Sequence, residues 1–211
     1  MPKSFSVKCT RCQRLADFLK GVRKEYPEYH GRPVEAFGCE DPKLLIVGLA
    51  PGMHGANATG RPFTGDYAGI LLYETMHEFG FSNQSESTHR GDGLELIDCR
   101  ITNAVKCLPP QNKPTTDEVN TCNEFLRQEL DALSPGAVIL TLGGIAHKAV
   151  LKALGLKASA FPFKHAASYP LVGEHTLLSS YHCSRYNTQT RRLTADMFKD
   201  VFSRAKQLIA T

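Results

Sequence analysis

Leu44-Leu45-Ile46-Val47 runs straight into Gly48-Leu49-Ala50-Pro51-Gly52-Met53-His54-Gly55-Ala56-Asn57-Ala58-Thr59-Gly60-Arg61-Pro62-Phe63-Thr64-Gly65-Asp66, and this stretch decides how the chain is read. The four apolar, mostly branched residues suit a strand buried on both faces. The loop behind them is crowded with glycine and proline, and it holds a histidine, an asparagine, an arginine and a phenylalanine. Glycine lets a ligand approach the main chain closely, and proline stiffens an irregular path. A strand-to-helix connection usually takes about two to six residues. This one takes nineteen. Loops at the carboxyl ends of strands in open α/β sheets are where ligands bind, so the stretch predicts a site loop.

Outward from it, strand and helix patterns alternate. Arg11 to Tyr26 reads as a helix with Leu15, Phe18, Leu19 and Val22 on one stripe. Ala68 to Phe79 is a second helix, with Leu71, Leu72 and Met76 inward, and Arg100 to Val105 is a strand. Thr115 and Glu118 form a capping box that opens a helix to about Leu133. Ala137 to Leu142 reads as a central strand, Gly143-Gly144 opens a helix to about Leu154, and Thr176 to Ser180 is a shorter strand. Thr194 caps a last helix carrying Met197, Val201, Phe202, Ala205 and Leu208 at helical spacing. Ser82 to Asp92 is polar and turn-rich and reads as a surface loop. The alternation predicts an α/β fold, a parallel sheet with helices on both faces. No repeat or linker divides residues 1–211, so a single domain is expected.

The length of 211 residues allows one domain to bury its core without staples. No apolar run approaches a membrane span, and the first residues lack a signal peptide's apolar region, so a cytoplasmic protein is expected. A net charge of +4 is compatible with a polyanionic partner without demanding one. The seven cysteines do not read as a disulfide framework in such a chain. Cys9-Thr10-Arg11-Cys12 stands at the mouth of the first helix, Cys107 lies in the Pro-rich loop after a strand, and Cys122 falls on the inward face of the next helix with Val119, Phe125 and Leu126. Two proximal thiols and two more fifteen residues apart allow a four-thiolate site, for a [4Fe–4S] cluster or tetrahedral zinc. Cys39, Cys99 and Cys183 fall outside that pattern and read as packing residues.

Gly48-Leu49-Ala50-Pro51-Gly52 with Gly60-Arg61-Pro62-Phe63-Thr64-Gly65-Asp66 resembles the first motif of the family 5 (type B) uracil-DNA glycosylases. Ser180-Tyr181-His182-Cys183-Ser184-Arg185-Tyr186-Asn187-Thr188-Gln189-Thr190-Arg191-Arg192-Leu193-Thr194 is similar to their second motif. The resemblance extends from Cys9 to the last helix. Related family 4 enzymes carry an acid where Leu49 stands, which sets this loop with family 5. The resemblance implies a four-stranded parallel sheet sandwiched between helices. It implies an enzyme that excises uracil from DNA. The small Ala50, Gly52, Gly55 and Ala56 of the first loop leave room for other deaminated bases such as hypoxanthine or xanthine, and a monomer is expected. The resemblance also implies a [4Fe–4S] cluster held by Cys9, Cys12, Cys107 and Cys122.

Base removal needs a donor for charge developing on the departing base, a group that handles water, and an aromatic face for the flipped base. His182, just past a strand, is the donor candidate. Asn103, at a strand end, can donate and accept at a uracil edge, and by resemblance it reads the base. Phe63, between Pro62 and Gly65, is the stacking face, and Gly48 and Ala50 belong to the base-binding wall. Ala50 stands where the wider superfamily supplies a water-handling acid or amide, which leaves His54 and Asn57 to position water. Ser184, Arg185, Tyr186 and Gln189 mix a cation, an aromatic and small donors, a combination suited to contacting DNA. A phosphate-cradling hydrolase is the rival on a similar sheet, but neither Gly-x-x-x-x-Gly-Lys-Ser/Thr nor Gly-x-Gly-x-x-Gly follows the first strand. A non-catalytic nucleic-acid-binding protein with a structural metal leaves the strand-end asparagine and histidine unexplained.

Overall fold

The computed structural model describes residues 5–210. Among these residues six strands form one sheet: β1 (Phe37–Gly38), β2 (Leu44–Gly48), β3 (Cys99–Asn103), β4 (Val138–Leu142), β5 (Ser168–Pro170) and β6 (Thr176–Ser180), in the order β1-β3-β2-β4-β6-β5. The inner four, β3, β2, β4 and β6, are parallel. β1 and β5 are antiparallel additions at the two edges. The expected four-stranded sheet is therefore the parallel centre of a six-stranded mixed one. The edge strands have two and three residues, too short to show an alternating pattern in sequence.

Among the described residues seven α-helices accompany the sheet: α1 (Gln13–Glu25), α2 (Ala56–Thr59), α3 (Tyr67–Glu78), α4 (Thr116–Asp131), α5 (Gly144–Ala153), α6 (Arg185–Gln189) and α7 (Ala195–Ile209). Successive residues of β2 point to opposite faces, so each face receives its own helices. Leu44 and Ile46 pack with Leu72 and Met76 of α3 and Phe198 and Phe202 of α7. Leu45 and Val47 pack with Leu126 of α4 and Ala149 and Val150 of α5. Each of these side chains larger than alanine contributes about 1.5–3 kcal/mol by leaving water. Leu15, Leu19 and Val22 of α1 close a third cluster against Val105, Leu108 and Phe125.

The capping box predicted at Thr115 and Glu118 is formed, and Thr194 accepts the Met197 amide at the head of α7. Boundaries move where backbone partners change. α1 begins at Gln13 because Cys12 is extended. β3 begins at Cys99 and stops at Asn103; the amides of Ala104 and Val105 then turn to the Gly48 and Leu49 carbonyls at 2.9 Å. α4 and α5 end at Asp131 and Ala153, short of the expected Leu133 and Leu154. The short helices α2 and α6 were not expected; α2 lies between the two parts of the first quoted motif and α6 inside the second. Residues 82–92 lie mainly at the surface, but Ser82 is buried and the Asp92 side chain turns inward. Among the described residues no helix is long and apolar enough to cross a membrane.

Candidate active site

β2, β3 and the residues after β6 deliver Gly48, Asn103 and His182 to the carboxyl edge of the sheet. A cleft of about 410 Å³ opens beside them, walled by Ala50, Gly52, Ala56, Phe63, Asn103 and His182. It also meets Asp66, Asn112, Ser184 and Arg185.

Phe63 sits in the wall in a left-handed backbone conformation, φ +54°. A non-glycine residue there needs outside support. Part of that support is the Tyr73 hydroxyl, which donates to the Pro62 carbonyl at 2.8 Å. The Phe63 ring stacks on the His182 imidazole with centroids 5.9 Å apart and planes 28° apart. Gly48 lies beneath: a Cβ there would come to 2.8 Å from Cζ of Phe63. Gly48 itself does not line the cleft; its missing side chain leaves the space that the Phe63 ring and the Asn103 amide fill.

Asn103 is 3% exposed, and its Oδ1 has no hydrogen-bond partner among the described residues. Nδ1 of His182 is likewise shut from solvent and unpartnered. A buried polar atom without a partner costs about 1–3 kcal/mol. Two of them at one cleft mark a place where an incoming ligand completes the bonding. Burial pushes the His182 pKa down to about 4, so its ring is neutral at physiological pH. Asn187 holds that turn, its Nδ2 donating to the His182 carbonyl at 2.8 Å, while Ser184 caps α6 by accepting the Asn187 amide.

The two candidates for water lie off the cleft wall. His54 is exposed and pairs through Nδ1 with the Tyr29 hydroxyl at 2.9 Å, edge-on to Tyr26. Asn57 is fully buried; its Nδ2 donates to the Met53 carbonyl at 3.3 Å, and its Oδ1 has no partner. Asp66 was missed by the sequence reading. It lines the cleft, caps α3 by accepting the Gly69 amide at 2.8 Å, and has its pKa raised by burial. An acid closing a glycine-rich loop just before a helix was its signal. Asn112 was missed too; it reaches the cleft from the Pro-rich loop with φ +56°.

The rim after His182 is basic and aromatic. Arg185 lies over the Tyr67 ring at 5.7 Å, Tyr186 is 70% exposed, and Gln189 is exposed. Arg192 lies over Tyr181 at 4.8 Å.

Cys9, Cys12, Cys107 and Cys122 share the wall of one pocket between α1 and α4, with Leu15 and Phe125. Burial pushes the Cys122 thiol up to about 11 and raises Cys107 further, helped by its neighbouring thiols. The Lys106 amide donates to the Cys122 sulfur at 3.3 Å. As the side chains stand, no group of three or more His, Cys, Asp or Glu among the described residues is arranged to hold a metal ion. Cys99 and Cys183 are fully buried, and the Cys39 thiol donates to the Cys99 carbonyl at 3.4 Å.

The sheet, the two loops and the cleft at their junction define an α/β protein with a ligand site at the carboxyl edge of its sheet, and comparison with known proteins gives the family. The family model of the uracil DNA glycosylase superfamily matches residues 35–206. A type-5 uracil-DNA glycosylase of Thermus thermophilus is 47% identical over 205 residues, covering 95% of this chain and 93% of its own. One from Pyrobaculum aerophilum is 43% identical, covering 94% and 88%, and one from Mycobacterium leprae is 43% identical, covering 95% and 91%. The crystal structure of Pedobacter heparinus SMUG2 shares the fold, with a TM-score of 0.51 at 15% identity over 81% of this chain and 77% of its own. The chain belongs to the uracil-DNA glycosylase superfamily, alongside its type-5 members.

Proposed function

We propose that this protein removes uracil from DNA by hydrolysing the N-glycosidic bond, leaving an abasic site. The observation that carries the reading is the pair of unpartnered buried atoms, Asn103 Oδ1 and His182 Nδ1, beside the Phe63 ring. The names of the type-5 relatives support it. A base extruded from the duplex stacks against Phe63. Oδ1 of Asn103 accepts its imide N–H, and the side-chain amide donates to a neighbouring carbonyl.

As the bond breaks, positive charge gathers on the sugar and negative charge on the leaving base. The neutral imidazole of His182 carries one N–H donor, and this donor meets the base oxygen as its charge develops. A fixed donor to developing charge in a dry pocket is worth about 2.7–4 kcal/mol. We assign the water to Asp66, ahead of Asn57 and His54, because it alone of the three lines the cleft. Burial raises its pKa, which makes the carboxylate a stronger base toward that water.

Ala50, Gly52 and Ala56 leave the cleft wall without bulk, so the reading extends to hypoxanthine and xanthine, with uracil preferred. Ser184, Arg185, Tyr186 and Gln189 form the DNA-facing rim. Cys9, Cys12, Cys107 and Cys122 hold a [4Fe–4S] cluster. The donor set fits, with four thiols on one pocket, two of them buried, and an amide N–H aimed at a sulfur. When bound, the cluster supplies thiolate cross-links that tie the N-terminal segment to α4 and the loop after β3. The enzyme acts as a cytoplasmic monomer.

The test is incubation with duplexes containing one uracil, followed by alkaline scoring of abasic sites. Cleavage at the uracil is expected. Duplex binding without any cleavage would make the protein a nucleic-acid binder instead.

A further inference from the structure

We infer that Asp92, on the polar segment 82–92, is a positioning residue that acts through Arg61 to hold Phe63 in its base-stacking pose. The inference rests on the proposed glycosylase reading, because the pose matters only if Phe63 receives a base.

Arg61 and Asp92 are thirty-one positions apart, yet they form a buried bidentate pair, 4% and 7% exposed. Nη1 of Arg61 donates to Oδ1 of Asp92 at 2.9 Å and Nη2 to Oδ2 at 2.5 Å. The remaining oxygen capacity of Asp92 accepts the Thr88 amide at 2.8 Å and the Leu94 amide at 3.0 Å, so the carboxylate is fixed from its own side too. The guanidinium lies over the Phe37 ring at 5.0 Å, which confines its plane. Such a fork imposes geometry as well as attraction.

Its other donors reach the residues around Phe63. Nε of Arg61 donates to Oγ1 of Thr64 at 3.0 Å, and Nη2 donates to Oγ of Ser87 at 2.6 Å. The Thr64 and Ser87 hydroxyls meet at 2.6 Å, and Thr64 Oγ1 also bonds the Pro62 carbonyl at 3.2 Å. Phe63 is thus bracketed by two residues whose polar groups are pinned to a distant loop. That bracketing holds its backbone at φ +54°. Without Asp92 the guanidinium keeps its charge in a buried place and turns elsewhere, and Phe63 is free to relax toward an ordinary conformation.

The experiment is a double-mutant cycle of Asp92→Asn with Phe63→Ala, read by single-turnover uracil excision well below each variant's melting temperature. Asp92→Asn alone should lower the maximal rate about tenfold or more, as misplacing a reacting group does. The DNA concentration for half-saturation should stay within about twofold, since no rim contact changes. In the Phe63→Ala background the same substitution should change the rate by less than about twofold. A merely structural Asp92 would lower both backgrounds equally, and that additive result would overturn the inference. If Asp92→Asn does not fold, Ser87→Ala replaces it in the same cycle, with a smaller loss expected, again absent in the Phe63→Ala background. Active wild type with an unaffected Asp92→Asn overturns this inference alone. Inactive wild type overturns the proposed function and this inference with it.

Discussion

Gly48 and Asn103 stand opposite each other in register across β2 and β3, and a Cβ on Gly48 would lie 2.5 Å from Oδ1 of Asn103. The same Cβ would press on the Phe63 ring. Both obstructing groups are side-chain ends, so the sheet can absorb the methyl only by displacing the two residues proposed to meet the base. Gly48→Ala should therefore fold, with a cost of about 1–3 kcal/mol from overpacking. Excision should fall about a hundredfold. A thermal melt and a single-turnover assay check the two halves, and unchanged excision would remove Asn103 and Phe63 from base recognition.

His182 should titrate far below its usual range. Its pKa is lowered by burial to about 4, against an ordinary value of about 6.5 in the unfolded chain. Between those values the unfolded chain holds the proton and the folded protein does not. Stability from this group is thus full above about pH 6.5 and declines as pH falls toward about 4. His182→Asn should flatten part of the acid slope of stability, leaving the share due to His30, His147 and His165, whose pKa values are also lowered by burial. The variant should lose most excision while keeping its fold. An NMR titration placing the His182 ring near pH 6.5 would contradict the neutral donor.

Cys122→Ser should separate cluster from catalysis. Wild-type protein purified without oxygen should be brown, with absorbance near roughly 400 nm and about four irons per chain, as a [4Fe–4S] centre requires. The serine variant should lose iron and melt lower, because the remaining buried thiols lose their common ligand. Zinc in place of iron in the wild type would refute the cluster assignment.

The unobstructed cleft wall of Ala50, Gly52 and Ala56 predicts breadth. On a panel of duplexes, uracil should leave fastest, hypoxanthine and xanthine more slowly, and adenine and guanine not at all. A site that hydrogen-bonds one base edge rejects bases without the matching groups. Excision restricted to uracil would show that the wall closes around the bound base.

Much of this was legible before any coordinates. The apolar run 44–47 and the run 137–142 became central strands, and the helix caps at Thr115 and Thr194 formed where the residue pattern put them. These are local signals, set by side-chain periodicity and by hydroxyls that reach their own helix amides. The edge strands β1 and β5 left no such trace, because their pairing depends on which chain lies alongside.

For the site, sequence by itself determined the inventory: a glycine-rich loop, a strand-end asparagine, a histidine after a strand, and four spaced cysteines. Tertiary structure alone decided how that inventory is used. It turned His54 out to Tyr29, sank Asn57 into the protein, and brought Asp66 to the cleft. It also joined Arg61 to Asp92, thirty-one positions away along the chain. Spacing along a chain fixes what a helix or strand presents, because those backbones repeat. In a loop the backbone does not repeat, so the direction of each side chain follows from the burial and hydrogen bonding that the whole fold imposes.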